Sequence, residues 1–292
     1  MNLVVGQSGF LGGIIARHLA QTNTPLRLLV RDGGTNIRSA NAVRGDLKDR
    51  ASLDAACAGV RTVITTANSA QRGGDDNVAT VDVAGNIALI DAAAAAGVKR
   101  FIFISTDAAD ESSPVPLFAA KARAERHLRD SGMEWTILAA HAFMDVWFPM
   151  LVGSAIGAGR AVSLVSGGRR RHSFIAVEDV ASFAIAAIGN PAAANRRLVL
   201  GGPTAISFAD VVAKTGAMMG RRLEVEDLAP GAPIPTLPPP ADQVIGNLAA
   251  GLEQQDGVIE MTETAREFGV TLTTAETVLA RMSGVRINGH FA

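Results

Sequence analysis

The sequence predicts an α/β fold, in which a doubly wound parallel sheet forms most of the chain and a small subdomain lies towards the C-terminus. Strand-like and helix-like segments alternate over about the first 150 residues. The strand-like segments are apolar throughout, which is typical of strands buried on both faces of a parallel sheet. Only 4% of the residues are aromatic, while Gly and Ala are abundant. Small side chains allow helices to pack closely on such a sheet.

The elements of the sheet are predicted in order from the spacing of apolar residues. Strands are expected at 3–5, 26–30, 43–45, 60–65, 101–105 and 135–139. Helices are expected between them at 12–19, 52–57, 77–96 and 116–131, with Ser52 as the N-cap of the second. The right-handed crossover rule then fixes how each strand–helix–strand unit winds.

Beyond about residue 150 the alternation weakens. Strands are expected at 173–177 and 197–200, and helices at 178–188, 208–219, 242–253, 262–268 and 274–282. Residues 230–240 are rich in proline and predict an extended loop. We therefore expect residues 1–150 to form the core domain. Residues 151–292 are expected partly to complete that core and partly to form a small substrate-binding cap.

Composition narrows the class of protein. The net charge is −1, so no overall field attracts nucleic acid or an acidic membrane, and we expect neither as a partner. Cys57 is the only cysteine, which excludes an internal disulfide and a thiolate zinc cluster and fits a reducing compartment. Residues 1–15 show no signal-peptide pattern, and the apolar stretches are too short to span a bilayer. We expect a cytoplasmic protein without a metal site, either a monomer or a homodimer.

A glycine-rich turn follows the first predicted strand and opens the first helix: Gly6-Gln7-Ser8-Gly9-Phe10-Leu11-Gly12. In such a turn the first glycine permits a sharp exit from the strand, the second lets a pyrophosphate approach, and the third lets the helix lie close to the sheet. The N–H groups and the dipole of the helix N-terminus attract the phosphates. A purely structural turn is the alternative, but this strand–turn–helix context favours a dinucleotide site in a Rossmann-type fold. All seven residues are predicted to bind the cofactor.

The residue after the second strand indicates which dinucleotide is bound. A carboxylate there would accept from the ribose 2′-hydroxyl of NAD, whereas an arginine suits the 2′-phosphate of NADP. This chain has Arg31, which Arg38 could assist. The alternative is a solvated arginine paired with Asp32, which could also bind a ribose hydroxyl. We expect NADP, with NAD less favoured.

Four further residues are predicted to contact the cofactor. Asp46 follows the third strand-like piece and could accept a hydrogen bond from the adenine amino group, with Leu47 against the ring. A helix-capping aspartate is the alternative for Asp46. Thr66 and Ala67 follow the strand at 60–65, at the edge of the sheet where parallel strands bind ligands.

These motifs resemble the NmrA-like, atypical short-chain dehydrogenase group, which includes NAD(P)H:quinone oxidoreductases, isoflavone-reductase-like enzymes and redox-sensing regulators. Most of residues 1–190 carry the resemblance. Its segments are the glycine turn, Val30-Arg31-Asp32, Gly45-Asp46-Leu47, Phe101-Ile102-Phe103-Ile104-Ser105, Ala120-Lys121-Ala122, Glu125, Ser131-Gly132, Thr136-Ile137-Leu138 and Phe174-Ile175-Ala176-Val177-Glu178-Asp179-Val180-Ala181. The resemblance implies a Rossmann core, NADP(H), and an active site between the nicotinamide and the C-terminal segments.

Two departures from the group's pattern bear on the chemistry. Short-chain dehydrogenases usually carry Tyr-x-x-x-Lys, in which the Tyr hydroxyl exchanges a proton and the Lys lowers its pKa. Lys121 matches the lysine, but Leu117 stands in the place of the tyrosine and the chain contains no Tyr. The strand motif that usually ends in Arg-Pro ends here in Ala139-Ala140-His141. Phenolic acid catalysis is therefore impossible.

Three residues are candidates for catalysis. Lys121 could bind the nicotinamide ribose or donate a proton, and the alternative is an exposed helical lysine paired with Glu125 at i+4. Ser105 ends a central strand at the carboxyl edge and could hydrogen-bond the substrate or the nicotinamide. His141 could donate a proton to a reduced carbonyl or quinone, and a structural histidine is the alternative.

Neighbouring residues are open to two interpretations each. Thr106 and Asp107 could contact the substrate or cap a loop. The basic run at 169–172 is short and lacks interleaved aromatic residues, so a solvated loop is favoured over nucleic-acid contact, although it could hold an acidic substrate. His172 in that run is more simply a structural histidine. The apolar residues of 143–148 either line a substrate pocket or pack in the core.

The missing tyrosine fits hydride transfer to a flat acceptor, because the oxygens of a hydroquinone can take protons from solvent. We therefore predict an NADP(H)-dependent oxidoreductase that reduces a quinone, an enone or a similar small carbonyl compound, and that binds, orients and shields its small-molecule substrate. The alternative is a non-catalytic NADP(H)-binding redox sensor, which would tolerate the loss of the tyrosine. A sugar-nucleotide epimerase or dehydratase would need an acid equivalent to the tyrosine and is disfavoured.

Overall fold

The computed structural model describes residues 1–22, 24–31, 41–70 and 73–283 of the chain. These residues fold into two compact units. The first unit comprises Met1–Ala140, Glu178–Leu200 and Arg266–Val270. The second comprises His141–Val177, Gly201–Ala265 and the described part of Thr271–Ala292. Asp32 and Arg38, both named in the prediction for the 2′-phosphate, lie outside the described residues.

The described residues form nine strands and eleven α-helices. The strands are β1 Asn2–Val5, β2 Leu26–Val30, β3 Asn41–Arg44, β4 Thr62–Thr65, β5 Arg100–Thr106, β6 Glu134–Ala140, β7 Val162–Val165, β8 Arg196–Leu200 and β9 Val225–Leu228. The helices are α1 Phe10–Gln21, α2 Arg50–Cys57, α3 Asn86–Ala95, α4 Pro116–Arg129, α5 Met144–Phe148, α6 Ser154–Ala158, α7 Val177–Ala186, α8 Phe208–Met218, α9 Ala241–Leu252, α10 Thr262–Phe268 and α11 Ala275–Ser283. π-Helical segments at Val78–Gly85 and Pro149–Gly153 lead directly into α3 and α6.

Seven of the described strands form one parallel sheet in the first unit, in the order β3-β2-β1-β4-β5-β6-β8. From β1 the chain moves outward through β2 to β3, and from β4 it moves outward on the other side through β5 and β6 to β8. The order therefore reverses between β1 and β4, and doubly wound sheets bind ligands at the carboxyl ends of the strands at such a point. The predicted α/β class with a doubly wound parallel sheet is confirmed.

The second unit contains a two-stranded parallel sheet of β7 and β9, which the sequence did not predict. β9 contains acidic residues, which are typical of a solvent-exposed loop rather than of a strand. In the structure Glu226 of β9 accepts a hydrogen bond from the Ser163 hydroxyl of β7. The strand expected at 173–177 is wrong, since this segment makes only an isolated bridge, between Phe143 and Ile175. Its apolar residues are buried in the core, so burial accounts for the apolar run.

Side-chain caps fix the starts of several helices, among them α2 and the π-helical segment before α3. Asp49 caps α2 by accepting from the N–H of Ala51, so the prediction of Ser52 as its N-cap is wrong. Ser52 lies one turn inside and donates instead to the carbonyl oxygens of Asp46 and Asp49. Asn77 and Thr80 form a reciprocal capping box at the start of the π-helical segment that continues into α3.

Each unit has its own hydrophobic core. In the first unit strand residues such as Phe101 and Phe103 pack against α2, α3 and α4 and are fully buried. In the second unit Phe148, Phe174 and Phe208 belong to one cluster. Full burial of a side chain of this size contributes about 1.5–3 kcal/mol to folding.

The continuous helix Val78–Ala95 is long and apolar enough to cross a membrane by length and composition alone, contrary to the expectation that every apolar stretch is too short. Leu89 and Ile90 on this helix are fully buried in the first core. Asp82 and Asn86 are also buried on it and hydrogen-bond to the chain after β4. The apolar residues of this helix therefore pack in the core of the first unit.

Candidate functional site

A cavity of about 500 Å³ lies in the first unit at the carboxyl ends of β1, β2, β3 and β4. Nine of the predicted cofactor-binding residues line it: Gly6, Gln7, Ser8, Gly9, Arg31, Asp46, Leu47, Thr66 and Ala67. The structure adds lining residues that were not assigned to the cofactor from the sequence: Val5, Leu29, Val30, Gly45, Asn68, Ala70, Asp76 and Val81. Because this is the point where the strand order reverses, the cavity lies where a doubly wound sheet is expected to bind its ligand.

The four remaining predicted cofactor residues do not line this cavity. Phe10 is 59% exposed and Leu11 is buried, and together with Gly12 they form the first turn of α1. Lys121 is buried on α4. Their predicted contacts with a cofactor stay predictions.

The glycines of the turn have different structural reasons. Gly6 has a φ of +91°, and a Cβ there would lie 2.5 Å from the Thr66 hydroxyl oxygen. A Cβ on Gly12 would lie 2.2 Å from the carbonyl oxygen of Gly6, so the fold itself excludes side chains at both positions. Gly9 has an ordinary extended backbone, and its Cβ would meet the Gly6 oxygen at 3.3 Å. Packing within the protein therefore restricts Gly9 less than it restricts Gly6 and Gly12, and the predicted close approach of a pyrophosphate to Gly9 stays a prediction.

The start of α1 suits a pyrophosphate. Gly9 is the N-cap residue, no side chain caps the helix, and its first turn contains no acidic residue. The N–H groups of a first helical turn have no partner within the helix. With the positive end of the helix dipole beside the cavity, these groups match the negative charge of a dinucleotide. The residues present therefore fit the predicted group.

Three charged side chains meet at the edge of this cavity. Asp76 Oδ2 lies 2.5 Å from Arg31 Nη1, and Asp76 Oδ1 lies 2.6 Å from Lys48 Nζ. These bonds, Lys48 first and Arg31 second, lower the pKa of Asp76. Sequence reasoning found Arg31 but missed Lys48 and Asp76. Lys48 directly follows the Gly45-Asp46-Leu47 motif, which was the available signal, whereas Asp76 lies in a loop and gave none.

The segment after β4 is tied down by buried polar groups. The Thr66 hydroxyl donates to the carbonyl oxygen of Gly6 at 3.3 Å, which joins this segment to the glycine turn. Asp82 is fully buried and accepts from both the N–H and the hydroxyl of Ser69, at 3.0 and 2.6 Å. Its other oxygen, Oδ1, has no hydrogen-bond partner among the described residues. Asn86 donates to the carbonyl oxygen of Ala67.

Asp46 and Leu47 are held in place by local contacts. Asp46 Oδ1 accepts from the N–H of Lys48 at 2.8 Å, so it caps a turn rather than the helix α2. Leu47 packs so closely on the π-helical segment that a Cβ on Gly85 would lie 2.9 Å from it. The structure therefore brings both residues to the cavity, and their predicted contact with an adenine stays a prediction.

Lys121 and Ser105 lie in the first unit and are both buried. Lys121 Nζ donates to the carbonyl oxygen of Ile104 at 2.9 Å and lies 4.7 Å from the centre of the Phe103 ring. Burial lowers the pKa of this ammonium. The alternative of an exposed lysine paired with Glu125 is therefore wrong.

Glu125 instead closes a buried network at the end of β5. It accepts from the Ser105 hydroxyl at 2.6 Å, from Arg129 at 2.8 Å and from Arg197 at 3.0 Å. Arg197 also donates to the carbonyl oxygen of Thr106. This network fixes the carboxyl end of β5, where Ser105 was predicted to act.

His141 lies in the second unit in a stacked pair with His172, and both rings are buried. His172 Nε2 is 2.9 Å from the carbonyl oxygen of Leu252, which can only accept, so that nitrogen carries a proton. In a neutral pair His172 Nδ1 then accepts from His141 Nε2, at 3.2 Å. These bonds give both histidines a structural role, and the predicted proton donation by His141 stays a prediction.

The apolar segment at 143–148 and the basic run at 169–172 were the remaining candidates for substrate contact. The side chain of Met144 and that of Phe148 are buried in the second core. Arg169, Arg170 and Arg171 are exposed, as expected for a solvated loop. Among the described residues, no group of three or more His, Cys, Asp or Glu side chains could hold a metal ion.

Two known proteins that are similar to this chain are named as reductases. It is 30% identical over 225 residues to an NAD(P)H azoreductase of Xenophilus azovorans, covering 76% of this chain and 74% of that one. It is 31% identical over 239 residues to a (4-alkanoyl-5-oxo-2,5-dihydrofuran-3-yl)methyl phosphate reductase of Streptomyces griseus, covering 78% and 77%.

Solved structures share the fold at low sequence identity. The NADPH complex of the quinone oxidoreductase QOR2 from Escherichia coli superposes with a TM-score of 0.80 at 19% identity, covering 97% of this chain and all of that one. The NADP(H) complex of a Citrobacter triphenylmethane reductase gives 0.78 at 18% identity, covering 97% and 100%. The NmrA-like family pattern matches residues 2–272. This chain therefore belongs to the NmrA-like family.

Proposed function

We propose that this chain is an NADP(H)-dependent oxidoreductase that reduces a quinone, an enone or a similar small carbonyl compound by hydride transfer. The observation that carries the proposal is the cavity at the carboxyl edge of the sheet, lined by the glycine turn, Arg31, Asp46 and Leu47. The names of its relatives support the class of reaction, because an azoreductase, a dihydrofuranyl phosphate reductase and a quinone oxidoreductase each act as reductases on small molecules.

The protein's part in this reaction is mainly to bind and orient. The first turn of α1 binds the pyrophosphate, and Gly9 leaves room for it. Arg31 and Lys48 supply positive charge for a 2′-phosphate. NADPH, when bound, supplies the hydride. A cavity that positions donor and acceptor in contact removes much of the entropic barrier to that transfer.

Lys121 is the residue of this chain best suited to assist at the end of β5. Its predicted roles are to hold the nicotinamide ribose or to donate a proton. Its lowered pKa makes the ammonium a stronger acid than an exposed lysine. If the reaction needs this proton, its rate should fall as the pH rises. The fall should come at a pH below 10.5, the ordinary pKa of a lysine. With a quinone the protons can come from solvent, so no tyrosine is required.

The test is consumption of NADPH by the purified protein with a panel of quinones and enones, comparing Lys121→Met with the wild type. With an enone, removing a proton donor should lower kcat by about 100-fold or more, whereas with a quinone, which can take its protons from solvent, the loss should be smaller. Methionine keeps the apolar stem in its buried site, so the variant should fold. Lys214→Met, which removes an exposed lysine paired with Glu276, serves as the matched control.

The redox sensor is the second candidate, favoured by Leu117 in the place of the catalytic tyrosine. It requires tight binding of NADPH without consumption by any acceptor in the panel. That result would overturn the proposed reductase and leave the cofactor site intact. Full activity of Lys121→Met would instead overturn only the role given to Lys121.

A further inference from the structure

One carboxylate holds two cations at the edge of the cavity. Arg31 and Lys48 follow the ends of the adjacent strands β2 and β3, and the loop after β4 folds back over the sheet to bring Asp76 to them. The two oxygens of Asp76 are divided between them, one at 2.5 Å from Arg31 and the other at 2.6 Å from Lys48. The Asp76 side chain is only 12% exposed, whereas those of Arg31 and Lys48 are 46% and 36% exposed. The carboxylate therefore lies beneath the two cations.

A 2′-phosphate would need these same two cations. It is a compact anion with several acceptor oxygens, and arginine and lysine are the side chains that bind such groups. A phosphate in contact with Arg31 would also come close to Asp76, and like charges at that distance repel. NAD carries a 2′-hydroxyl instead, which leaves the bonds of Asp76 undisturbed.

We infer that Asp76 sets the preference between NADP and NAD, because its carboxylate occupies the two cations that a 2′-phosphate must engage. This inference rests on the proposed function. Asp76 thus weakens binding of NADP(H) and leaves NAD(H) binding almost unchanged. Since its bonds with Lys48 and Arg31 keep the pKa of Asp76 below its usual range, the carboxylate stays ionised at neutral pH and protonation does not relieve the competition.

Calorimetric titration tests the inference without any turnover. Asp76→Asn and the wild type are each titrated with NADP⁺ and with NAD⁺. An exposed ion pair contributes up to about 1 kcal/mol, and two such pairs compete here, so NADP⁺ should bind about three- to tenfold more tightly to the variant at low salt. NAD⁺ affinity should change by less than about twofold. The difference should shrink at about 1 M salt, where the screening length is about 3 Å.

Two control variants make the comparison specific. Asp54→Asn removes the same charge from an exposed aspartate on α2 that pairs with Arg50, and it should bind both nucleotides as the wild type does. Asp76→Glu keeps the carboxylate and should keep the wild-type preference. If Asp76→Asn fails to fold, Asp76→Ser provides the test, because it removes the same carboxylate and should likewise tighten NADP⁺ binding and spare NAD⁺.

Several results would overturn the inference. One is that Asp76→Asn binds NADP⁺ no more tightly than the wild type. Another is that Asp76→Asn binds NAD⁺ more tightly by the same factor as NADP⁺. A third is that Asp54→Asn shows the same increase in NADP⁺ affinity. In each of these cases the wild type still binds NADP⁺, so the proposed function stands. Failure of the wild type to bind either nucleotide would overturn both.

Discussion

Gly9 and Gly12 lie in the same turn and face the same carbonyl oxygen, but at different distances. Gly12 lies against the carbonyl oxygen of Gly6, where a Cβ would be only 2.2 Å away. Gly9 has more room, with the same oxygen 3.3 Å from its Cβ position. Packing thus excludes a side chain at Gly6 and Gly12 more strictly than at Gly9, where the predicted role is contact with a pyrophosphate.

This difference predicts opposite outcomes for two alanine variants. Gly12→Ala should destabilise the protein, since overpacking costs about 1–3 kcal/mol, and Tm should fall by about 2–4 °C per kcal/mol. Gly9→Ala should lower Tm much less, because φ −82° and ψ 167° suit any residue and the Gly6 oxygen has to move by only a few tenths of an ångström. It should nevertheless weaken NADPH binding by about tenfold or more, which corresponds to about 1.4 kcal/mol or more. Thermal melts and NADPH titrations would show the two effects, and identical behaviour of the variants would contradict them.

Asp82 predicts a separation of stability from binding. Its carboxylate fixes Ser69, yet its Oδ1 is buried without a hydrogen-bond partner among the described residues. Asp82→Asn removes one buried charge together with its attraction for the buried Lys121 ammonium, and because these effects have opposite signs Tm should change little. The weaker hold on the segment after β4 should lower NADPH affinity by about fivefold, the difference between a charged and a neutral acceptor.

The matched control for Asp82 is on the same helix. Asp91→Asn removes an exposed aspartate paired with His127, outside the cavity lining. It should leave NADPH affinity unchanged. If Asp82→Asn binds NADPH as tightly as the wild type, Asp82 does not position the segment after β4 for the cofactor.

Side chains that directly follow strands could be predicted from the sequence. Arg31, Asp46 and Thr66 were assigned from strand ends, and all three line the cavity. Asp76 and Asp82 were missed because their positions depend on how a loop and a π-helical turn fold back over the sheet. The spacing of apolar residues does not indicate how such a loop folds back. Lys121 was assigned to a helix, but its burial against Ile104 follows only from tertiary packing.

The helix α2 offers a probe of local and global opening. Its last residue, Cys57, is fully buried, and burial raises the pKa of the thiol from 9.0 to about 11. Because the thiolate is the reactive form, a thiol reagent at pH 8 should label the folded protein far more slowly than the unfolded chain. Labelling followed with and without denaturant measures this, and equal rates would contradict the burial of α2.

The same thiol gives a pH dependence with a definite sign. Between pH 9 and about 11 the folded state holds a proton that the unfolded state has lost, so the free energy of unfolding should fall as pH rises through this window. Cys57→Ala should remove this part of the dependence. Denaturant unfolding at several pH values provides the measurement, and a slope that Cys57→Ala leaves unchanged would contradict it.

The elements of the sheet were predictable because each strand is apolar and each helix follows a regular spacing. Their ends were less so: both Ser52 and Asp49 can cap a helix, and only the fold shows that Asp49 accepts from Ala51. The two-stranded sheet of β7 and β9 was not predicted because Glu226 and Asp227 of β9 are residue types typical of a solvent-exposed loop. Their pairing depends on the partner strand rather than on local sequence.

For the molecule as a whole, the alternation of strands and helices was enough to predict the doubly wound sheet, and the glycine turn located its ligand edge. The two units, by contrast, interleave along the chain, since Glu178–Leu200 and Arg266–Val270 return to the first unit. Residues so distant in sequence join the sheet and its helices only through long-range packing. The cap over the substrate and the cytoplasmic location stay predictions.

Titration of the purified protein with NADPH and with NADH, at one salt concentration, is the decisive measurement. An NADP(H) site at the carboxyl edge predicts saturable binding of NADPH, weaker binding of NADH, and loss of NADPH binding in Gly9→Ala. No binding of NADPH, or NADPH binding that Gly9→Ala leaves intact, would contradict it.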